Sequence, residues 1–271
     1  MLQISASIVL YKNDLKVLLN LLKSIKATNV HIRLYLIDNS PTPEFKDIIN
    51  YIENIIYIHN PSNPGFGVAH NTAISKAISM GSEYHFIINP DIYFDNDVIT
   101  PMINYMQKHE DVGMMMPEVL FSDGSIQFLP KLLPRPFWII KRKLKMPRKS
   151  YDTFINKYEL REMPKDRIYN APILSGCFTL LNLRAIEDVG GYDDKYFMYF
   201  EDFDLSRRMH QKYKTIYFPN VSVYHGYASG ANKSFKLFKI FIVSAITYFN
   251  KWGWFFDKER KAINKKVLTQ L

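Results

Sequence analysis

Two short polar stretches carry the residues best suited to chemistry. Residues 201–204 contain three carboxylates among aromatic side chains, and far upstream Asn89 and Asp91 directly follow the apolar run 84–88. Carboxylates at the end of a strand can hold a divalent cation, and a carboxylate among bulky apolar groups can serve as a general base. A fold that joins the two stretches could cleave and transfer an activated phosphate ester. Taken alone, residues 201–204 are equally compatible with an acidic first turn of a helix.

The first hundred residues alternate between strand and helix patterns. β-branched, apolar runs predict strands at residues 4–10, 32–37, 55–59 and 84–88. Helical spacing of apolar residues predicts helices at residues 15–25, 45–51 and 68–80, the last one closed by Gly81. This alternation predicts an α/β fold with a mostly parallel central sheet and helices on both faces.

Polar residues follow each of the four predicted strands. They are Tyr11, Asn13, Asp38, Asn39, Asn63, Gly65, Asn89 and Asp91. Ligands of such sheets bind just beyond the carboxyl ends of the strands. Any one of these residues could be a turn residue or a helix cap, but their recurrence at four strand ends favours a nucleotide pocket.

The second half of the chain is less regular. Short strands are predicted at residues 112–117, 125–128, 172–181, 215–218 and 222–225, and helices at residues 183–190 and 201–211. We therefore expect a smaller mixed sheet in this half. No linker or repeat interrupts the chain, which predicts one domain over residues 1–230, with a nucleotide-binding half (1–110) and an acceptor half (111–230). Residues 231–271 are predicted to form a basic, amphipathic helical extension.

Composition excludes several classes of protein. The 271 residues are 47% hydrophobic and 15% aromatic, too apolar for a largely disordered chain. Cys177 is the only cysteine, so no internal disulfide can form, which fits a reducing cytoplasm. The first residues lack the pattern of a signal peptide, and we expect a cytoplasmic protein.

The net charge of +9 is concentrated in two segments. Residues 131–149 contain eight basic and no acidic residues, and their prolines predict a mobile or surface-bound loop. Residues 233–256 are also basic. Bulky apolar residues among the lysines favour a peripheral position on an anionic membrane surface, at the inner face of the cell membrane. The alternative is a solvated helix that packs its apolar face on the body. The longest uncharged run, 240–250, is too short to span a bilayer.

Two other classes fit less well. A nucleic-acid-binding protein would explain the basic segments, but no such motif is present, and acidic strand ends would repel phosphates without a metal. We therefore expect no nucleic-acid partner. A nicotinamide-dependent oxidoreductase would need a loop with three glycines after the first strand. Gly65 and Gly67 lack the third glycine and follow the third strand.

From residue 5 to about residue 253 the chain resembles the glycosyltransferase family 2 enzymes of GT-A fold, and most of all the bacterial rhamnosyltransferases that build O-antigen and related polysaccharides on a lipid carrier. The resemblance is carried, in matching order, by residues 7–11, 36–40, 63–71, 88–91, 176–178, 190–193, 196–204 and 224–225. It implies a Rossmann-like GT-A sheet, a smaller mixed acceptor-side sheet and C-terminal helices.

The resemblance also implies roles for residues at the strand ends. Tyr11 and Asp38 would lie against the nucleotide base and ribose. The nucleotide–sugar pocket would be lined by Asn63, Gly65 and Asn71.

Asn89 and Asp91 occupy the place of the family's Asp-x-Asp motif. The first acid is Asn here, a departure that rhamnosyltransferase-like members share. The resemblance implies Mg²⁺ or Mn²⁺, held mainly by Asp91 and also by Asn89, because magnesium commonly takes few carboxylates together with substrate phosphates and waters. His225 matches a position that adds a metal or diphosphate contact in some members, although a lone histidine at a strand end can equally be structural.

The resemblance implies that Asp202 is the catalytic base, that Glu201 orients the acceptor, and that Asp204 caps or supports the helix. The alternative is that Asp202 only caps the helix and Glu201 does the chemistry. The expected reaction is an inverting displacement that moves L-rhamnose from dTDP-rhamnose to a polyprenyl-diphosphate-linked saccharide. A UDP-sugar donor, such as UDP-galactose or UDP-N-acetylhexosamine, is the alternative.

Overall fold

The structure, a computed structural model, describes residues 2–28, 30–51, 54–144, 148–226 and 234–270, without the side chains of residues 49, 148 and 149. Its strands are β1 Ile4–Leu10, β2 Ile32–Asp38, β3 Ile55–His59, β4 Tyr84–Ile88, β5 Ile92–Tyr93, β6 Val112–Leu120, β7 Tyr169–Asn170, β8 Phe178–Asn182 and β9 Lys214–His225. Its helices are α1 Leu15–Lys26, α2 Phe66–Ser79, α3 Ile99–Lys108, α4 Pro136–Leu144, α5 Arg148–Tyr158, α6 Leu183–Val189, α7 Glu201–Lys212, α8 Phe235–Trp252 and α9 Lys258–Leu268, with a short 3-10 helix at Lys46–Asn50.

Within this described part, the strands form one sheet in the order β3-β2-β1-β4-β8-β6-β9-β5, and β7 pairs with β9. The first four strands are parallel. β8 is antiparallel to both β4 and β6, and β9 runs parallel to β6. The strands of the second half thus extend the first sheet, so both halves of the molecule contribute strands to one continuous sheet.

Burial explains the parallel half. Nearly every residue of β1, β2 and β4 is buried, as expected for strands that are covered on both faces. The chain steps from β1 to β2 through α1 in one direction, and from β3 to β4 through α2 in the other. Because such crossovers are right-handed, α1 and α2 cover opposite faces. Asp14 caps α1 by accepting a hydrogen bond from the backbone of Lys16 (2.7 Å).

A polar network lies inside this apolar sheet. The imidazole of His85 on β4 lies 2.8 Å from the Ser5 hydroxyl and 2.7 Å from the Ser7 hydroxyl, and Ser7 also lies 2.7 Å from His70 Nδ1 on α2. Burial lowers the pKa of His85 to about 3 and holds the pKa of His70 well below its usual value. Both rings are therefore neutral near pH 7, and their hydrogen bonds join β1, β4 and α2.

Most predicted elements of the first half agree with the structure to within two residues, but the prediction for residues 131–149 was wrong. Instead of a loop, this segment contains α4 and the start of α5, with residues 145–147 outside the described part. Pro136 is the first residue of α4, a position where its missing N–H costs nothing. Pro134 and Pro136 thus lie before or at the start of the helix rather than inside it.

Four predicted strands also differ. Residues 125–128 form only an isolated bridge, between Leu120 and Ile126. Of the strand predicted at 172–181, only β8 is formed. Ile173 makes an isolated bridge with Lys131, and the Ser206 hydroxyl bonds both the N–H and the carbonyl of Leu174. The two strands predicted at 215–218 and 222–225 are one strand, β9, with a register irregularity opposite residues 117 and 118.

The C-terminal helices are joined to the body through a buried ion pair. The guanidinium of Arg207 on α7 is 1% exposed and donates to both carboxylate oxygens of Asp257 (2.8 and 3.0 Å) and to Glu259 (2.9 Å). Asp257 also caps α9 by accepting from the backbone of Arg260 (2.8 Å). Two elements distant in sequence are therefore fixed by a single carboxylate.

We expect Asp257→Ala to lower the free energy of unfolding by about 3 kcal/mol, because a buried guanidinium loses its main partner. Denaturant unfolding or a thermal melt measures this, and Tm should fall by roughly 6–12 °C. Asp188→Ala, which removes the exposed ion pair with Lys212, is the matched control and should leave Tm nearly unchanged. Equal effects of the two substitutions would contradict a structural role for the buried pair.

Candidate active site

The four predicted strand ends meet at one edge of the sheet. In-register pairing places Asp38 of β2 beside Leu10 of β1 and His59 of β3, and places Ile88 of β4 beside Ile8. The polar residues that follow these strands are therefore neighbours. This is the edge at which the sequence predicted a pocket.

Asp38 is fully buried at this edge, and both of its oxygens accept hydrogen bonds. The Tyr57 hydroxyl donates to Oδ2 (2.6 Å) and the backbone N–H of Ser40 donates to Oδ1 (2.9 Å). Tyr11, after β1, is 49% exposed, and its backbone N–H donates to the Asn13 side chain (2.7 Å). The edge thus combines a fixed carboxylate with an accessible aromatic ring.

The loop at residues 63–66 is pressed against the segment that precedes α7. Asn63 and Gly65 have φ angles of +46° and +103°. A Cβ atom at Gly65 would lie 2.3 Å from the carbonyl oxygen of Phe197, and that oxygen accepts from the N–H of Phe66 (2.9 Å). Only glycine allows this approach.

Asn71 lies in the same contact but bonds protein rather than facing outward. Its Nδ2 donates to the carbonyl of Tyr192 (2.7 Å), and its Oδ1 accepts from the N–H of Tyr192 (2.9 Å). The structure therefore gives Asn71, predicted to line the nucleotide–sugar pocket, a role in joining α2 to the loop before α7.

Asn89, Asp91 and His225 converge beyond β4. Asp91 Oδ1 lies 3.3 Å from His225 Nε2, and Asn89 Nδ2 lies 3.4 Å from the same nitrogen. The pairing of Ile92 with His225, between β5 and β9, holds this arrangement. The three residues predicted to hold a metal are thus brought together by two strands distant in sequence.

Gln127, which the sequence did not single out, orients the ring of His225. Its Nε2 donates to the carbonyls of Leu120 (3.1 Å) and His225 (2.9 Å), so its Oε1 must face His225 Nδ1 (3.1 Å). Nδ1–H therefore donates to Gln127, and Nε2 is the ring nitrogen that faces the Asp91 carboxylate. In the neutral form of the ring, Nε2 and the carboxylate would be able to share a cation.

No three His, Cys, Asp or Glu side chains of the described residues are grouped closely enough to hold a metal ion by themselves. A cation at Asp91 and His225 would need further oxygen ligands. Magnesium and manganese commonly take these from substrate phosphates and water.

Glu201 and Asp202 begin α7 after two strained residues. Tyr199 and Phe200 have φ angles of +70° and +65°. Phe200 is nonetheless buried, and it packs against the ring of Tyr248 (centroids 5.5 Å apart). Packing therefore maintains a backbone that would otherwise be unfavourable, a feature that clusters at functional sites.

The two carboxyl groups are not equivalent. Burial, opposed by the charge of Lys131 and by the backbone N–H of Gly176, raises the pKa of Asp202 to about 6. Glu201 is only 6% exposed, its Oε2 has no hydrogen-bond partner among the described residues, and burial with the neighbouring Asp202 charge raises its pKa well above the usual value. Of the two, Glu201 thus holds its proton more tightly, and Asp202 ionises first.

The segment at residues 176–177 connects the two acidic stretches. The N–H of Asn89 donates to the carbonyl of Cys177 (2.8 Å), and a Cβ at Gly176 would lie 3.7 Å from the Cβ of Asp202. The thiol of Cys177 has its pKa raised to about 12, first by burial and then by the charges of both Asp91 and Asp202. The two acids therefore lie near one another at the same edge of the sheet.

The sequence profile of Glycosyl transferase family 2 matches residues 6–190. The chain belongs to this family. The match covers β1 through α6 and contains Asn89 and Asp91, but it ends before the acids of α7. The protein is accordingly a glycosyltransferase.

Two curated relatives of this glycosyltransferase are rhamnosyltransferases. The rhamnosyltransferase WbbL of Escherichia coli (strain K12) is 27% identical over 240 residues, which are 84% of this chain and 86% of the relative. The N-acetylglucosaminyl-diphospho-decaprenol L-rhamnosyltransferase of Mycobacterium tuberculosis (strain ATCC 25618 / H37Rv) is 25% identical over 222 residues, which are 73% of this chain and 68% of the relative.

Solved structures show the same GT-A fold at low identity. GalNAc-T7 with UDP, GalNAc and Mn²⁺ superposes with a TM-score of 0.64 at 15% identity, over 84% of this chain and 44% of that one. The mannosyltransferase PcManGT of Pyrobaculum calidifontis, in complex with GDP-Man and Mn²⁺, gives 0.57 at 13% identity, over 84% and 58%. The glycosyltransferase thus spans less than half of the first of these chains.

Lys131 is the residue at this site that the sequence analysis misassigned. It was counted in a basic surface segment, yet it is 5% exposed, and its Nζ donates to the carbonyl of Leu129 (2.7 Å). Burial lowers the pKa of Lys131 to about 8, partly offset by the charges of Glu159 and Asp202. A single lysine among many gives no signal in the sequence, because only packing distinguishes it.

We expect kcat/KM for sugar transfer to rise with pH through about 6, as Asp202 loses its proton. Lys131→Met removes a cation that favours the ionised carboxylate, so the pKa of Asp202 should rise and the midpoint should move up by about one pH unit. Lys131→Arg is the matched control and should keep the midpoint near that of the unmodified enzyme. A midpoint that does not move in Lys131→Met would exclude this electrostatic role.

Proposed function

We propose that this protein is an inverting transferase that moves L-rhamnose from dTDP-rhamnose to a saccharide linked through diphosphate to a polyprenyl lipid. The observation that carries the proposal is the common edge at which Asp202 lies against Gly176 while Asn89, two residues before Asp91, bonds Cys177. The names of the two rhamnosyltransferase relatives support the sugar, and the lipid diphosphate in the name of one supports the acceptor.

Asp202 is the proposed base. Its carboxylate takes the proton of an acceptor hydroxyl as that oxygen forms a bond to the anomeric carbon, while the bond from that carbon to the diphosphate oxygen breaks on the opposite face. A single displacement of this kind inverts the anomeric configuration and needs no covalent sugar–enzyme intermediate. A pKa of about 6 suits the task, because the group is ionised near pH 7 and still basic enough to accept a proton.

Glu201 has a different proposed part. A neutral carboxyl group can donate a hydrogen bond as well as accept one. Its buried Oε2, which has no partner in the described part of the chain, is available to orient the acceptor beside Asp202.

At the donor end, Tyr11 offers its exposed ring to the base. Asp38, whose buried carboxylate already accepts from Tyr57 and Ser40, would fix the end of β2 beside the ribose. Mg²⁺ or Mn²⁺ would be held by Asp91, with Asn89 and His225 beside it. When bound, the ion would neutralise charge that develops on the departing nucleoside diphosphate. The Mn²⁺ in the two similar solved structures supports a divalent ion.

A UDP-sugar donor, either UDP-galactose or UDP-N-acetylhexosamine, is the alternative within the family. One similar solved structure contains UDP, which supports this alternative. A thermal-shift panel with dTDP, UDP, NAD and an oligonucleotide, with and without Mn²⁺, separates the nucleotide classes. Hydrolysis of a panel of nucleotide sugars then identifies the sugar. Stabilisation by UDP but not by dTDP would overturn the dTDP-rhamnose assignment.

We expect Asp202→Asn to lower kcat by roughly 10²–10⁴-fold, the usual contribution of a general base. The Kd for the nucleotide sugar, measured by calorimetry, should stay close to that of the unmodified enzyme. Glu201→Gln is the matched control. Because Gln resembles a neutral Glu, it should retain much more activity. The reverse ranking would assign the base to Glu201.

We also propose that the protein is peripheral on the cytoplasmic face of the cell membrane. α4 and α8 contain no acidic residue, and together they expose large apolar side chains, which are Phe137, Ile140, Leu144, Phe235, Phe238, Ile242, Val243 and Ile246. The two helices meet where the ammonium of Lys143 lies over the rings of Phe238 and Phe241 (both 5.2 Å). An apolar face with cations at its border suits an anionic lipid surface.

This surface is defined here as the exposed face of α4 and α8. It covers most of the two segments that the sequence predicted to touch the membrane, although residues 145–147 and Lys233 lie outside the described part. None of the described helices has the length and apolar content needed to cross a membrane. Ile139 of α4 and Ala245 of α8 belong to the same apolar cluster as Phe200, which places the surface beside the start of α7.

We expect the protein to float with anionic vesicles of phosphatidylglycerol and phosphatidylcholine. The double substitution Phe235→Ser and Val243→Ser should weaken binding by roughly tenfold or more, because two apolar side chains lose their burial. Leu15→Ser with Met80→Ser changes two similarly exposed side chains elsewhere and is the control. Absence of flotation would remove the membrane proposal and leave the enzymatic one intact.

A further inference from the structure

A cavity of about 420 Å³ lies outside the active site, between α4, α5 and α9. Its described lining includes five cationic side chains and no acidic one: Arg135, Lys157, Arg260, Lys261 and Lys265. None of the residues assigned to sugar transfer contributes to it. Among the described residues, the side chains of Lys157, Lys261 and Lys265 form no ion pair. Positive charge is therefore concentrated in a concave site without internal neutralisation.

Arg260 is the unusual member of this set. It is only 3% exposed, yet its Nε has no hydrogen-bond partner among the described residues. Its other nitrogens reach backbone carbonyls, the shortest being that of Pro134 (3.1 Å), and the nearest carboxylate oxygen, on Asp257, lies 3.8 Å away and already accepts from Arg207. A buried guanidinium with an unused donor is costly unless a ligand anion completes its bonding.

A second cavity, of about 450 Å³, adjoins the first and shares Trp138 and Lys157 with it. Half of its lining is aromatic, and the other half consists of Lys141, Lys157, Ser150 and Thr153. The rings of Phe154 and Tyr158 are stacked (5.6 Å, 8°), and Trp138 meets Tyr158 edge to face (5.5 Å). Phe137, on the exposed face of α4, also lines it. A cationic compartment thus continues into one that combines aromatic rings with lysines, at the border of the proposed membrane surface.

We propose that the two cavities form a binding site for an anionic phospholipid. The phosphate lies among Arg260, Lys261 and Lys265, and the first part of an acyl chain lies along Trp138 and Phe154. Charge complementarity accounts for the phosphate, and the aromatic walls account for the chain. The site goes beyond sugar transfer, because it could hold the protein to a membrane whether or not the donor assignment is correct.

The test uses the full-length protein and dihexanoyl phosphatidylglycerol below its micelle concentration, so that no membrane is present. Calorimetry should detect binding, and the double substitution Lys261→Gln with Lys265→Gln should weaken it by roughly tenfold to thirtyfold. Lys258→Gln with Lys266→Gln makes the same change of charge on α9 but leaves the lining of the cavity intact, and it should bind as the unmodified protein does. Dihexanoyl phosphatidylcholine, which carries a compensating cation, should bind more weakly.

Three results would overturn the proposal. Equal losses in the two double variants would mean that the effect is only one of net charge. Inorganic phosphate binding as tightly as the phospholipid would exclude the lipid chain from recognition. If neither calorimetry nor NMR chemical shifts detected binding of any of the probes, the site would be excluded. Each can be distinguished from a failure of the proposed transferase activity, since none of these measurements involves a nucleotide sugar.

Discussion

The carboxylate of Asp204 is the contact on which the geometry of the site depends. It is fully buried on α7 and accepts from Arg208 Nε, Trp252 Nε1 and Lys251 Nζ, all at 2.8 Å. Arg208 in turn donates to the carbonyls of residues 189–191, the loop whose end is held by Asn71. The Asp204 side chain thus connects α7 to α8 and to the loop that covers α2. Asp204 supports the helix and does not cap it.

This anchoring permits an electrostatic arrangement that is unfavourable by itself. Two adjacent carboxyl groups, Glu201 and Asp202, lie at the start of α7 behind two residues of left-handed conformation. Burial penalises the charge on both, and the charge of Asp202 raises the pKa of Glu201 further. The buried ammonium of Lys131 favours ionisation of Asp202. The stability lost at this site is offset elsewhere, in the apolar cluster around Phe200 and the ion pair of Arg207.

The parallel half of the fold was predictable because its signals are local. β1 and β4 have the bounds that their apolar runs predict, since a strand covered on both faces needs such a run and little else. The second half was predicted less well. Residues 172–177 resemble a strand in sequence, but both backbone groups of Leu174 bond the Ser206 side chain of α7, a partner distant in sequence. α4 was missed because prolines were taken as signs of a loop, whereas Pro136 occupies the first helical position.

The sequence by itself determined the kinds of residue and their order: acids after β4 and at the start of α7, glycine at position 65, and a family profile over residues 6–190. Only the tertiary structure decided which of these groups act together. It made Lys131 a buried charge that favours ionisation of Asp202 rather than a surface charge, and Asn71 a contact between α2 and a loop. It also oriented the ring of His225 through Gln127. The physical reason is that charge, protonation and hydrogen bonding depend on distance and burial, which chain order does not specify.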